Sequence, residues 1–186
     1  MIWFTADTHF GHKNIIKYCD RPFDSIENMD QTIIGAINNN VQPNDILWHL
    51  GDFCFASRKK YYDVVKFYRY RIICKNVGLI FGNHDRSTIR ELFCWSHKRH
   101  RLTIDNVSFV LHHKWFGASE KNHTESIYLY GHSHGNCEDW LDQIIPNRKS
   151  LDVGVDNAHR LLGEYRPFSL QEIFQIVENR QCLITT

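Results

Sequence analysis

The sequence predicts an α/β fold of two packed β-sheets flanked by helices, and three observations carry that reading. Short apolar runs of strand length recur at residues 2–6, 46–50, 77–81, 107–112, 127–130 and 150–155, each closed by Gly, Asp or His. In the first half these runs alternate with segments of helical periodicity, the pattern of parallel strands joined by crossover helices. In the second half two runs are separated only by Asp105-Asn106, which predicts a β-hairpin because Asx residues tolerate the left-handed conformation of tight turns. With 186 residues and 42% apolar content, the chain fits a single domain over residues 1–186 with a substantial core.

Taken in order, the first run delivers Asp7 and His9 at its carboxyl end. Phe10-Gly11-His12 breaks the strand, and residues 14–18 predict a short helix before the turn Arg21-Pro22-Phe23. Asp24 with Glu27 resembles a capping box, and Met29, Ile33, Ile34 and Ile37 recur at helical spacing until Asn38-Asn39-Asn40. That stripe is core packing. The second run ends in Gly51-Asp52. Residues 57–70 predict a helix with Tyr61, Val64, Val65 and Tyr68 inward and the basic residues Arg58, Lys59, Lys60, Lys66 and Arg69 on a solvated face. The third run, 77–81, stops at Gly82-Asn83-His84-Asp85, which offers a bend, an amide oxygen, an imidazole and a carboxylate within four residues. Residues 87–93 predict a short helix capped by Ser87. The hairpin then delivers His112-His113, and the run 127–130 delivers Gly131-His132-Ser133-His134-Gly135. Residues 150–155 predict a further strand. Ser169 with Glu172 predicts the start of a last helix through Ile173, Ile176 and Val177.

A net charge of +1 gives no reason to expect a long nucleic acid or an anionic membrane as an obligatory partner. The six cysteines are scattered with no Cys-x-x-Cys pair, which argues against a disulfide framework or a thiolate zinc site and for reduced thiols. The first residues carry no basic region or long apolar core, and no apolar stretch reaches membrane length. A cytoplasmic protein is the expectation.

The 12 histidines are the compositional anomaly, and many of them stand at strand ends. Asp7, His9, Asp52, Asn83, His84, His112 or His113, His132 and His134 all follow apolar runs. Carboxylate, amide oxygen and neutral imidazole suit divalent ions such as Mn, Fe, Zn or Ni, whereas an all-oxygen set would suit Mg or Ca. Seven or eight such groups exceed the need of one tetrahedral zinc and match two ions sharing a bridging carboxylate. A dinuclear site is therefore expected.

Asp7-x-His9, Gly51-Asp52, Gly82-Asn83-His84-Asp85, His112 and Gly131-His132-x-His134 resemble, in order and spacing, the motifs of the calcineurin-like metallophosphoesterase superfamily. The stretch from Asp7 to Ile16 with Arg21-Pro22-Phe23, and Val153-Gly154-Val155-Asp156 with Arg166-Pro167-Phe168-Ser169-Leu170, are similar to its small bacterial and phage phosphoesterases. The resemblance implies a four-layer α/β/β/α sandwich of two mixed β-sheets with two divalent metal ions at one edge, manganese first, with iron, zinc or nickel as alternatives. It implies that Asp7, His9, Asp52 and His134 hold one ion, that Asp52 bridges, and that Asn83, His112 and His132 complete the second. His84 would face the substrate and protonate the leaving oxygen, with Asp85 orienting it. Two ions about 4 Å apart lower the pKa of a bridging water towards about 7 and bind phosphate oxygens for in-line hydroxide attack at phosphorus, which leaves a general acid as the remaining need.

His112 is favoured as the ligand by motif order, with His113 as the alternative. Phe53-Cys54-Phe55-Ala56 stands where protein phosphatases of the superfamily have Asp-Arg-Gly, which argues against a protein substrate. His12, Lys13 and Arg21 lie in the loop after the first strand, where a cation could hold a second phosphate or a leaving nucleotide, and His12, Arg21 and Asn83 are the candidate substrate-binding residues. Trp115 and Phe116 would stack on a base or belong to the core. The expected function is a metal-dependent phosphoesterase acting on a phosphodiester or small nucleotide. A nuclease on DNA or RNA is the near alternative and would need residues 58–60 and 98–101 to line the site. A catalytically silent metal-binding scaffold is the alternative from another class. A metallo-β-lactamase-type hydrolase is disfavoured, since no His-x-His-x-Asp-His run is present.

Overall fold

A computed structural model describes residues 1–115 and 126–182. The strands in chain order are β1 (Ile2–Thr5), β2 (Ile46–His49), β3 (Asn76–Ile80), β4 (Trp95–His97), β5 (Arg99–Ile104), β6 (Val107–His112), β7 (Ser126–Tyr130), β8 (Ser150–Asp152) and β9 (Phe168–Ser169). The helices are α1 (Ile15–Tyr18), α2 (Ile26–Asn40), α3 (Tyr61–Arg69), α4 (Glu138–Ile144), α5 (Val155–Leu162) and α6 (Leu170–Cys182). One sheet has the order β4-β3-β2-β1-β9, parallel except for β9, and the other has β5-β6-β7-β8, parallel except for β5. Both sheets are mixed, as expected, and they pack face to face between helices.

Successive side chains of a strand point to opposite faces, so a strand covered on both sides reads as a continuous apolar run. Trp3, Leu47 and Leu79 face a core shared with Met29, Ile33 and Ile37 of α2 and Val65 of α3. Their neighbours Phe4, Trp48 and Ile80 face a second core with Phe109 and Leu111 of β6, Leu129 of β7 and Leu151 of β8, closed by Ile173 and Val177 of α6.

Several element boundaries differ from expectation. Ser25, and not Asp24, caps α2, accepting from the Asn28 N–H at 3.1 Å. The helix expected over 57–70 is confined to α3. Residues 87–92 form a 3-10 turn without a side-chain cap. The strand expected over 150–155 stops at Asp152, because Val155 already opens α5. Neither β4 nor α4 was anticipated. The hairpin β5–β6 is as expected, with Asp105 and Asn106 at φ of 49° and 64° in the turn. The capping box of α6 is also present, with Ser169 Oγ accepting from the Glu172 N–H at 3.2 Å and the Ser169 N–H donating to Glu172 at 2.8 Å. Cys19, Cys54, Cys74, Cys94 and Cys137 are free thiols. No helix among the described residues is long and apolar enough to cross a membrane.

Candidate metal centre

The carboxyl ends of β1, β2, β3, β6 and β7 converge at one edge of the sandwich. Hydrogen bonds sew the turns there together: Asp7 N–H to Gly51 O at 2.9 Å, His9 N–H to Asp52 O at 3.0 Å and Gly131 N–H to His113 O at 2.9 Å. Asp7, His9, Asp52, His132 and His134 all have φ between 49° and 70°, a left-handed conformation that costs a non-glycine residue about 1–3 kcal/mol. Such strain persists only where the surroundings impose it, and here two carboxylates do so. Asp7 Oδ2 accepts from the His132 N–H at 2.8 Å, and Asp52 Oδ1 accepts from the His84 N–H at 2.9 Å. Each acid thus pins a distant turn with one oxygen and leaves the other for the site. The close approach also explains two glycines, since a Cβ at Gly82 would collide with Asp52 and one at Gly131 with Asp7.

Two groups of donors face each other at the strand ends: Asp7, His9 and His134 bring ligand atoms within 4.8 Å of one another, and so do Asp52, His113 and His132. A third such group, Cys19, His134 and Asp156, shares His134 with the first. Asp52 Oδ2 lies between the groups, 3.7 Å from His9 Nε2 and 3.4 Å from His113 Nε2. Asn83 Oδ1 is 3.0 Å from His113 Nε2. His84, whose side chain is 39% exposed, places Nε2 3.9 Å from the same Asp52 oxygen.

The unpartnered donor atoms fit bound cations. Asp7 Oδ1 and both ring nitrogens of His9 are buried without a hydrogen-bond partner, an arrangement that costs free energy unless something else satisfies them. Burial pushes the Asp7 carboxyl up to about 7, against the pull of His134 and His113. Burial also pushes His9 down to about 2, leaving a neutral imidazole able to ligate. Asp52 is held below the usual carboxylate range despite its burial, through the hydrogen bond and charge of His113. Burial opposes charge on His113, yet its bond to Asp52 and the nearby Asp7 raise it to about 9. Carboxylate oxygens, imidazoles and an amide oxygen together are a donor set for divalent transition ions.

Three expectations need correction. His112 is not in the cluster: its Nδ1 lies 2.8 Å from the Lys114 carbonyl, and the ring in the site is His113, with Nδ1 2.8 Å from the Leu50 carbonyl. The physical reason is strand alternation, because Phe109 and Leu111 face the inter-sheet core and residue 113 shares their parity. Asp85 does not orient His84. Its oxygens accept from the N–H groups of Asp52, Phe53 and Gly82 at 2.8, 3.2 and 2.9 Å and from the Tyr61 hydroxyl at 3.2 Å, which staples the tetrad to the Asp52 turn. Arg21 is buried and faces no open site: it donates to both Asp156 oxygens at 2.8 Å and to the Asp7 and Thr8 carbonyls.

Asp156 lies against the candidate site, although the sequence reading gave it no role. Its Oδ2 lies 2.6 Å from His134 Nδ1, so Arg21, Asp156 and His134 form a chain that fixes the imidazole from behind. Burial opposes charge on His134, but the bond to Asp156 raises it to about 11. The available signal was that 21–23 and 153–156 both stood out as subgroup stretches, and the structure joins them through one ion pair. His12 lies at the rim, its ring 5.6 Å from that of His9 and stacked on Phe55 at 4.2 Å. His49, given no role from sequence, sits behind the first turn with Nε2 3.0 Å from Thr8 Oγ1. Trp115 is half-buried, and Phe116 lies outside the described residues.

Fold and donor set together define a metal-binding α/β sandwich with its site at the strand ends. The chain belongs to the calcineurin-like phosphoesterase family, whose model matches residues 1–178. It is 33% identical over 186 residues to an uncharacterized protein of Methanocaldococcus jannaschii, covering 99% of this chain and 95% of that one. It is 27% identical over 206 residues to the Gene 66 protein of Mycobacterium phage L5, covering 95% and 94%. Among solved structures, a protein of unknown function from Aquifex aeolicus shares the fold, with a TM-score of 0.71, 22% identity and coverage of 95% and 98%. Family membership carries the coarse activity, hydrolysis of phosphoesters with divalent metal ions.

Proposed function

We propose that the chain is a dinuclear-metal phosphodiesterase acting on a small nucleotide or related phosphodiester. The observation that carries this reading is the single Asp52 oxygen between the two donor groups, with His84 3.9 Å away. In this reading Asp7, His9, Asp52 and His134 would hold one ion, and Asp52, Asn83, His113 and His132 would hold the other, with manganese as the first candidate. Bound divalent ions supply a water of lowered pKa and neutralise phosphate charge. The chain's own residues do the rest. Asn83 and His12 bound the space beside the scissile phosphate. As water adds to phosphorus it releases one proton to solvent, the ester P–O bond breaks, the leaving oxygen takes a proton from the His84 ring, and the exposed ring takes one back from solvent, so that no net proton is lost in the step. Asp85 keeps the His84 turn in register with Asp52, and Asp156 with Arg21 keeps His134 in its tautomer and orientation.

The nuclease alternative is weakened. Of its two required basic clusters, only Lys98 lines the groove beside Asn83, and Arg101 is engaged by the Ser108 and Ser126 hydroxyls at 3.2 and 3.3 Å. Free thiols support a reducing compartment, and we place the protein in the cytoplasm.

Hydrolysis of a chromogenic phosphodiester and its monoester is the test, run with manganese, iron, zinc or nickel, with EDTA, and with His84→Ala and Asp52→Asn. Metal-dependent diester turnover that falls about 10²–10⁴-fold in His84→Ala while bound metal is retained supports the reading. Tightly bound ions with no turnover of any phosphoester would favour the silent scaffold.

A further inference from the structure

A groove of about 390 Å³ opens beside the metal centre and shares Asn83 and His113 with it. Its remaining wall carries Arg90, Lys98 and Lys114 together with the half-exposed His112. Three cations around one opening are a concentration of charge in a chain whose net charge is only +1. The one acid on the wall, Asp85, directs both its oxygens at backbone amides and the Tyr61 hydroxyl, and among the described residues it forms no ion pair with these cations. Among the described residues neither Lys98 nor Lys114 forms an ion pair with a carboxylate. The Arg90 guanidinium rests over the Phe81 ring, 5.7 Å from its centroid, which holds it at the wall. The groove therefore presents cations to a ligand already anchored at the metals, on a side distinct from the His12–Phe55 rim next to His84.

We propose that this groove is a subsite for a second phosphate of the substrate, so that the preferred substrates are nucleotide phosphoesters carrying a further phosphate near the scissile one. The proposal rests on the phosphoesterase reading for the scissile group. It deepens that reading by assigning recognition to Lys98, Lys114 and Arg90. Ammonium and guanidinium groups near a metal-anchored phosphoester attract a second phosphate by charge-assisted hydrogen bonds, and a neutral extension gains nothing from them. The geometry also gives His112 a place on the substrate wall in exchange for the ligand role that sequence order suggested.

The test compares two substrates with the same scissile bond and leaving group: the p-nitrophenyl ester of thymidine 5′-phosphate, with and without a 3′-phosphate. The manganese-loaded protein is expected to favour the bisphosphate by about 10-fold in kcat/KM, the size that two or three partly exposed charge-assisted contacts supply. In Lys98→Ala/Lys114→Ala, and in the milder Lys98→Gln/Lys114→Gln, that ratio is expected to fall to about 2-fold or less. A wild-type ratio near one, or a ratio unchanged in both double variants, overturns the proposal. Calorimetric binding of thymidine 3′,5′-bisphosphate and thymidine 5′-phosphate to the manganese-loaded His84→Ala protein judges the groove without turnover. If neither ester is hydrolysed, the phosphoesterase reading fails, while tighter binding of the bisphosphate that is lost in the double variants still upholds the groove. Equal binding overturns it. Two further pairs identify the source of the second phosphate: preference for pTpT over TpT points to a nucleic-acid strand, and preference for a nucleoside diphosphate over its monophosphate points to a pyrophosphate.

Discussion

Two buried charged clusters in this chain are built to opposite ends. On the outer face of the second sheet, Glu138 of α4 is fully buried, and its carboxylate receives Arg148 at 3.0 Å, Arg180 at 2.9 Å and the Tyr130 hydroxyl. Arg148 also donates to the Ser150 carbonyl at 2.8 Å and to Asp142 at 2.8 Å, so the cluster is satisfied from within. At the strand ends, Asp7 Oδ1 and the His9 nitrogens are equally buried and have no hydrogen-bond partner. A closed network needs nothing further and fixes packing, whereas a cluster with orphaned donor atoms held in strained turns is completed only by a ligand. That difference, more than the abundance of charge, singles out the strand-end cluster as the candidate site.

Breaking the closed cluster should give the largest effect on stability. Glu138→Ala removes the buried carboxylate that Arg148 and Arg180 share, leaves both to the more exposed Asp142, and is expected to cost about 3 kcal/mol in urea unfolding, with metal stoichiometry per folded molecule unchanged. A loss of metal in that variant would erase the distinction between the two regions.

The open cluster should instead gain stability from its ligand. At manganese concentrations about 100 times Kd, the protein should be stabilised by about 2.7 kcal/mol, visible as a rise in Tm that EDTA reverses. His113→Ala should abolish most of this rise and His112→Ala should retain it. The opposite pattern would restore His112 as the ligand.

Smaller again is the effect of the groups behind the cluster. Asp156→Ala should weaken metal binding about 10–100-fold, read by competition with a chromophoric chelator, because His134 loses the acid that orients it. Unchanged affinity would make the Arg21–Asp156 pair purely structural.

The smallest expected effect concerns Asp30, another buried carboxylate and one of intermediate kind. Its acceptors are filled by the neutral Gly11 N–H and Tyr68 hydroxyl, and burial raises its pKa from 3.8 to about 6 against those two bonds. The folded state therefore holds more protons than the unfolded chain between those values. Stability should fall as pH rises from about 4 through 6. Asp30→Asn should flatten that dependence of the urea midpoint, and an unaltered slope would assign it to other groups.

Much of the site was legible because its signals are local. Asp7, His9, Asp52, Asn83, His132 and His134 stand directly after apolar runs, and a strand end followed by a turn needs only a few residues to declare itself. Asp105-Asn106 declared its hairpin for the same reason. The capping box of α6 was likewise contained in four residues, while the start of α2 slipped by one because Ser25 and Asp24 are both good caps. The short β4 and α4 carried too few periodic positions to register.

The sequence by itself determined which donors reach the sheet edge, in what order, and hence the family chemistry, since strand, turn and ligand type are encoded within a few neighbouring residues. Only the tertiary structure decided how those donors are partnered. It put His113 in place of His112, turned Asp85 onto the Asp52 amides, and buried Arg21 against Asp156 across 135 positions of chain. It also gathered Arg90, Lys98 and Lys114 around one groove. Each of these depends on which faces of two separate sheets meet, and long-range pairing of that kind leaves no trace in local periodicity.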